Sequence, residues 1–415
     1  MDSPSNILEN KNDGKGFNTV FNVKNTKEFN RNKKTDYSNV PQCKDFPNIP
    51  HILPMKKDIY VLGDIHGDFD MLIKILKQLK LINNDLKWSG GKKVLVQVGD
   101  LIDFCRPGID ENGKRIPCSD IRSRKKKFAD DLRLIKYVTE LANQARSAGG
   151  HVILLLGNHE VMNIEGDFNY VAYADMGIFS GEEDYTMEDF DNMNVKEKQV
   201  FNGGIDNFDK AHKRRVNFFK AGSKLAQYIA CTRQTAVIIG DILFVHAGLI
   251  DDVAENMSIE ELNDAVRKYL VTGVVNKNDC IFNIKDILTS SSFSPLWTRI
   301  LGNLKGDPTD TDTCVDNLHN VVTSWKVGNM VVGHTPQMSR KIGLTCTEIE
   351  ICVDDGSGEC KIFRSVIKVD TALSDGFSDF LDKTNKAQVL HISSFIKKKG
   401  EEEIRVIRMR IIIIS

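Results

Sequence analysis

KVLVQVGDLIDFCRPG, residues 93–108, begins as an apolar run and ends in charge. So short and nearly continuous a run of Val and Leu suits a strand buried on both faces, and the glycine after it marks where the chain leaves the sheet. Beyond Gly99 come two carboxylates, Asp100 and Asp103, and then Arg106, held back by Phe104 and Cys105. Four further runs have the same form: DIYVLGD at 58–64, HVILLLGNHE at 151–160, VIIGDILFVHAG at 237–248 and NMVVGHTP at 329–336. Between the early runs lie DMLIKILKQLKLI at 70–82 and FADDLRLIKYVTELANQARSAGG at 128–150, both with apolar residues at helical spacing. Strand, helix, strand, helix is the rhythm of an α/β layered core with functional loops at its strand ends.

The 415 residues leave room for a large core, and 56 basic against 57 acidic residues give a formal net charge of -1. That balance gives no reason to expect a nucleic-acid partner; the basic RSRKKK at 122–127, at the entry to a helix, reads as a solvated face. No run approaches the roughly 18 to 20 apolar residues of a membrane span, and the opening MDSPSNILENKNDGKG lacks the apolar stretch of a secretory signal. The nine cysteines are scattered and never spaced as CxxC, so they read as mostly reduced thiols. These features predict a soluble, cytoplasmic protein with no membrane partner. Residues 1–50, rich in Asn and Lys, read as a disordered polar tail, and 51–380 as the main folded domain. Within that domain 161–235 breaks the strand–helix rhythm and reads as a cap-like insertion, and its Tyr170, Tyr173 and Phe179 suggest an aromatic rim. The last segment, 381–415, carries QVLHI and EEIRVIRMRI around a turn-like KKKGEE and reads as a closing β-hairpin.

Each strand end delivers a set of polar groups. The first gives Asp64 and His66, the second Asp100 and Asp103, the third Asn158, His159 and Glu160, the fourth His246 and the fifth His334. Taken singly, an aspartate after a glycine can cap a helix, His246 can be a satisfied core histidine, and His334 sits in a Gly–Thr–Pro turn. Five such sets, each after an expected strand, instead converge on one sheet edge. Oxygen and nitrogen donors without thiolate suit manganese, iron, zinc or magnesium.

The ordered set GD-x-HG, GD-x-x-D, GNHE, HAG and GHTP, within about Lys57 to Ser374, resembles the calcineurin-like metallophosphoesterases. Within them it is most similar to the phosphoprotein-phosphatase branch and its Shewanella-like, bacterial-type members. The resemblance implies a sandwich of two mixed β-sheets flanked by helices, with two divalent metal ions at the strand ends: manganese first, iron or zinc as alternatives. It assigns Asp64, His66 and Asp100 to one metal, and Asp100, Asn158, His246 and His334 to the other. It makes His159 the general acid and Asp103 its hydrogen-bonding partner, with a helix-capping Asp103 as the plainer alternative. Glu160 is expected to orient the ligands or to form a surface ion pair, and Asp370, in KVDTALSDG, to stand behind the site.

A phosphoryl group in flight needs a guanidinium. The family places one directly after the second acid, whereas this sequence has Phe104 and Cys105 there and Arg106 two positions late. Arg299, in SPLWTR, resembles a W-x-R element of the Shewanella-like group and is the second candidate. The implied activity is hydrolysis of phosphorylated protein side chains, Ser/Thr or Tyr, by a hydroxide generated between the metals. A hydrolase of dinucleoside polyphosphates, or a scaffold that binds metal and phosphate without turnover, stays open at this point.

Overall fold

Residues that alternate along a strand face opposite sides of a sheet, so a run apolar at every position needs cover on both faces. The computed structural model, which describes residues 18–24, 30–118, 127–275, 282–302, 308–349, 363–381, 386–399 and 402–414, meets that need with two stacked sheets and outer helices. Along the chain run β1 (Asn18–Lys24), β2 (Lys33–Lys34), β3 (Pro50–Leu53), β4 (Asp58–Leu62), α1 (Phe69–Gln78) and β5 (Val94–Gln97). A small hairpin, β6 (Gly108–Ile109) with β7 (Arg115–Ile116), leads to α2 (Asp131–Ser147), β8 (His151–Leu154) and α3 (Asn158–Glu165). Then come α4 (Tyr173–Gly177), α5 (Met187–Asn192), α6 (Phe208–Phe219), α7 (Lys224–Thr232), β9 (Ala236–Ile239) and β10 (Ile242–Val245). The rest comprises α8 (Asp251–Asn256), α9 (Ile259–Thr272), α10 (Ile284–Thr289), α11 (Pro308–Trp325), β11 (Asn329–Val332), β12 (Gly343–Ile349), β13 (Phe363–Lys368), β14 (Gln388–Lys399) and β15 (Glu402–Ile413).

One sheet has the order β1-β15-β14-β4-β5-β8 and the other β12-β13-β11-β10-β9-β3-β2. In the first, β4, β5 and β8 are parallel neighbours; in the second, β10, β11 and β13 are. Their C-terminal ends therefore all point the same way within each sheet, which gathers the glycine-containing loops after β4, β5, β8, β10 and β11. Between the sheets lie Ile59, Val61, Val94, Val96, Ile153, Val237, Ile239, Phe244, Val331 and Ile367, all buried. The alternate residues Tyr60, Leu62 and Leu95 belong to the outer core with Leu72, Ile75 and Leu76 of α1 and Leu134 and Val138 of α2. Burying a side chain of this size contributes about 1.5–3 kcal/mol, so the layer between the sheets fixes the register of the loops above it.

Four expectations change. The run at 237–248 is two antiparallel strands turning at Gly240–Asp241. Residues 30–50 pack onto the domain: Tyr37 is buried with its hydroxyl donating to the Cys231 carbonyl at 2.9 Å, and Thr35 Oγ1 donates to the Ile49 carbonyl. A few buried anchors, such as Tyr37, Val40 and Cys43, outweigh the polar composition of this stretch. The cysteines are not free: Cys43–Cys231, Cys105–Cys118 and Cys314–Cys346 form disulfides, pairing every cysteine among the described residues. Two of these pairs join residues 188 and 32 positions apart, brought together by the fold rather than by a local spacing. Finally, Phe179 is wholly buried, and the Tyr173 hydroxyl accepts from the Ile205 amide, so only Tyr170 of the expected rim faces the strand ends.

The closing hairpin joins the first sheet, β14 pairing with β4, while β1 covers the far side of β15. The basic stretch at 122–127 lies outside the described residues except for Lys127, as do positions 1–17 of the tail. Among the described residues no helix is long and apolar enough to cross a membrane.

Candidate metal centre and acid pair

The loops that carry the polar groups are bent hard. His66, Asp100, Asp103 and His334 have φ of 44°, 52°, 72° and 63°, the left-handed region that residues with a Cβ rarely adopt. Such strain persists where surrounding structure over-determines it, and it clusters at functional sites. The glycines before the ligands answer a different need. At Gly157 a Cβ would stand 2.1 Å from Asp100 Oδ1, so the β8 loop can reach the β5 loop only without a side chain.

Asp100 is central. Its Oδ1 lies 3.3 Å from His246 Nε2 and accepts from the His159 amide at 2.9 Å, while Oδ2 lies 3.9 Å from His66 Nε2 and 3.8 Å from His159 Nε2. Burial works against its charge, but the imidazoles of His246, His159 and His66 hold the carboxyl well below the carboxylate range. On one side His66 Nε2 is 3.7 Å from Asp64 Oδ2. On the other, Asn158 Oδ1 lies 3.0 Å from His246 Nε2 and 2.8 Å from His334 Nδ1. His246 Nδ1 donates to the Val98 carbonyl at 2.8 Å, which leaves Nε2 with its lone pair turned inward. His334 Nε2 lies 3.1 Å from the Trp297 carbonyl; a ring proton there, which excludes a hydrogen bond from Arg299 Nε to the same atom, leaves Nδ1 facing the same point.

Buried oxygen and nitrogen acceptors crowded toward one point need a shared proton or a cation between them. Asp64 is pushed well above its ordinary value by burial and by the carboxylates of Asp370 and Asp100. Asp370 is raised to about 6, chiefly by burial, and its Oδ2 is buried without a hydrogen-bond partner. The donors sort into two overlapping groups that share Asp100: His66, Asp100 and His159, and Asp100, His246 and His334. The donor set therefore fits divalent metal ions. By proximity alone His159 could be a ligand.

His159 differs from the others in its partner. Its Nδ1 lies 2.7 Å from Asp103 Oδ2, and Asp103 is completely buried. Burial lowers the imidazole pKa, yet Asp100 and the hydrogen bond to Asp103 outweigh it and hold His159 above the ordinary value. Asp103 does not cap a helix; its carboxylate also takes both Asn163 Nδ2 contacts at 3.0 Å. Glu160 is buried rather than on the surface. Its Oε2 accepts from the amides of Gly157 at 2.7 Å and Asp100 at 3.1 Å and its Oε1 from Leu101 at 2.9 Å, tying the third strand end to the second. Asp370 Oδ1 accepts from the Ala372 amide at 3.0 Å, and its charge acts on Asp64.

Arg106 reaches the centre from its late position. Its Nη1 donates to the carbonyls of Asp103 at 3.0 Å and Cys105 at 2.9 Å, and the guanidinium lies 4.3 Å above the Phe377 ring. The Cys105–Cys118 bond closes the loop that carries it. Arg299 is exposed, with Nε 3.3 Å from His334 Nε2. Sequence reading did not single out Asn163, Asp131, Arg215 or Phe377. Asn163 could have been found, because four positions after His159 it shares that residue's helix face; the others carry no local signal.

Sheet order, parallel strand ends and two donor groups sharing one carboxylate define a metallophosphoesterase fold. The chain belongs to the calcineurin-like phosphoesterase family, whose profile matches residues 57–336, and phosphoester hydrolysis is the chemistry of such a centre. It is 32% identical over 262 residues to an uncharacterised protein of Acanthamoeba polyphaga mimivirus, covering 60% of this chain and 92% of that one. It is 25% identical over 310 residues to Shewanella-like protein phosphatase 2 of Arabidopsis thaliana, 72% of this chain and 71% of the relative. Shewanella-like protein phosphatase 1 of Plasmodium berghei is likewise 25% identical, over 301 residues, 72% of this chain and 66% of the relative. Among solved structures a cold-active protein tyrosine phosphatase shares the fold, with a TM-score of 0.51 and 19% identity over 88% of this chain and 84% of that one.

Proposed function

We propose that this chain is a protein phosphatase that removes phosphate from phosphorylated side chains, with His159 as general acid. The observation that carries the reading is the 2.7 Å contact between His159 and buried Asp103 beside the shared Asp100 carboxylate. Asp64, His66 and Asp100 would hold one divalent cation and Asp100, Asn158, His246 and His334 the second, with manganese favoured and iron or zinc compatible with the same donors. When bound, such cations supply Lewis-acid polarisation of phosphoryl oxygens and acidify water.

The chain's own residues do the rest. Asp103 fixes the proton on His159 Nδ1, so Nε2 is the atom that hands a proton to the leaving oxygen. Glu160 and the strained backbone keep Asp100 between the two donor groups. Arg106 keeps Nε and Nη2 for phosphoryl oxygens while Nη1 anchors it, and Arg299, at the His334 edge, is the second guanidinium for that charge. Tyr170 packs edge-on to His159 at 4.9 Å and Phe377 to His66 at 5.4 Å, an aromatic frame that suits a side chain presented by a peptide. Two relatives named as protein phosphatases support the same substrate class. The three disulfides weigh against a reducing cytosol as the protein's compartment.

The test is hydrolysis by Mn²⁺-reconstituted protein of a phosphotyrosine peptide, a phosphothreonine peptide and diadenosine tetraphosphate, with Asp100→Asn alongside. Peptide turnover abolished in Asp100→Asn supports the proposal and names the residue preference. Cleavage of the dinucleotide alone would move the function to nucleotides, and inertness toward all three with metal bound would favour a scaffold.

A further inference from the structure

Arg215 sits in α6, inside the 161–235 insertion, and is one of the largest fully buried side chains in the molecule. A buried guanidinium is costly unless its donors are matched, and here they are matched toward the acid pair. Nε and Nη2 donate to Asn163 Oδ1 at 3.1 and 2.7 Å, Nη2 donates to Asp131 Oδ2 at 2.8 Å, and Nη1 donates to the Asp175 carbonyl at 3.0 Å. Both side-chain partners continue to Asp103. Asn163 Nδ2 donates to Asp103 Oδ1 and Oδ2 and to the His159 carbonyl, all at 3.0 Å, and Asp131 Oδ1 accepts from the Asp103 amide at 3.0 Å. One guanidinium of the insertion thus holds two groups that together grip the side chain and backbone of the residue behind His159.

We propose that Arg215 and Asn163 are positioning residues for proton donation: Arg215 fixes the amide of Asn163 with its oxygen outward, and Asn163 thereby presents only donors to Asp103. The inference rests on His159 being the general acid. An asparagine amide can turn over, and a turned-over Asn163 would set its carbonyl against the Asp103 carboxylate; the two Arg215 contacts to Oδ1 add to the pull of Asp103 and the His159 carbonyl in opposing that turn. The carboxylate would then swing from the line to His159 Nδ1, and the ring would follow. Arg215 also supplies the cation that balances Asp131 beside Asp103. The faces of Phe168, Phe179 and Phe219 around the guanidinium, at 5.3, 5.6 and 4.5 Å, leave it no route to solvent. Through this chain a guanidinium of the insertion that does not itself contact His159 sets the geometry of the proton transfer.

The test uses the Mn²⁺-loaded full chain and two substrates, 4-nitrophenyl phosphate, whose leaving group needs little protonation, and a phosphothreonine peptide, whose alkoxide needs a proton. Wild type, Arg215→Met, Asn163→Ala, His159→Asn and the double variant Arg215→Met/His159→Asn are compared for kcat and KM. The proposal predicts a fall in kcat on the phosphopeptide of about 10- to 100-fold in Arg215→Met and in Asn163→Ala, with KM little changed and the aryl phosphate nearly unaffected. In the His159→Asn background Arg215→Met should cost little more. Should Arg215→Met not fold, Asn163→Ala carries the same comparison. Equal losses on both substrates in the Arg215 or Asn163 variants, or losses that multiply in the double variant, would overturn the proposal while leaving the general acid in place. His159→Asn losing both substrates equally would instead remove the general acid, and the proposal with it.

Discussion

Gly157→Ala is a one-carbon change with a sharp expectation. Gly157 has φ of -113° and ψ of 177°, a conformation any residue adopts, so space alone excludes a side chain there. The added Cβ would stand 2.1 Å from Asp100 Oδ1 and 2.3 Å from the Asp100 amide nitrogen. Ordinary contact begins near 3.4 Å, so Asp100 or the loop must move by about 1 Å. The carboxylate that would move is the one both donor groups share, and Glu160, bound to the amides of both Gly157 and Asp100, resists relaxation. A displacement of this size at a catalytic centre costs about 10²-fold, or about 2.7 kcal/mol of transition-state stabilisation. The assay pairs metal content after dialysis with kcat/KM on a phosphopeptide, with thermal unfolding as the check on folding. Gly181→Ala is the control, since a Cβ there meets only an atom at 3.8 Å. A Gly157→Ala protein with wild-type metal content and turnover would refute the reasoning.

Further outcomes follow from the same structure. Asp241, at the β9–β10 turn, is raised to about 6 mainly by burial, and its Oδ1 is buried without a partner. A carboxyl with a raised folded pKa contributes stability that is fully present below its unfolded value, near 3.8, and is lost as pH rises through about 6. Asp241→Asn should therefore raise Tm at pH 8, by the equivalent of about 1–3 kcal/mol, and change little at pH 4; an equal effect at both pH values would contradict this. Replacing both Cys105 and Cys118 by Ser opens the loop that carries Arg106. It should cost up to about 3 kcal/mol of stability and raise KM for a phosphopeptide more than it lowers kcat, and an unchanged KM would mean that Arg106 is held by Phe377 and its carbonyl contacts alone.

The ligand-bearing loops were legible because each follows a run of apolar residues that only a doubly covered strand explains, and because glycine directly precedes Asp64, Asp100, Asn158 and His334, where backbones must nearly touch. What lay hidden has a common cause: it depends on contacts between distant segments. The helix FDKAHKRRVNFF carries Arg214 and Arg215 side by side, yet Arg214 bonds carbonyls at the surface while Arg215 is wholly buried behind Asp103. Nothing local distinguishes them. Cys43 meets Cys231 only because residues 30–50 return to the domain, and that return depends on a few apolar anchors in a polar segment. The late Arg106 looked displaced in sequence, but the loop closed by Cys105–Cys118 and the face of Phe377 bring it back to the strand ends.

His159 lies close enough to Asp100 to be counted among the donors, so its role is where the account is most exposed. The most direct measurement is metal content and turnover of His159→Asn prepared in parallel with wild type. The account predicts unchanged metal stoichiometry with kcat on a phosphopeptide reduced by about 10²- to 10⁴-fold. Loss of metal in step with activity would make His159 a ligand, and full activity with full metal would leave the 2.7 Å contact with Asp103 without a catalytic role.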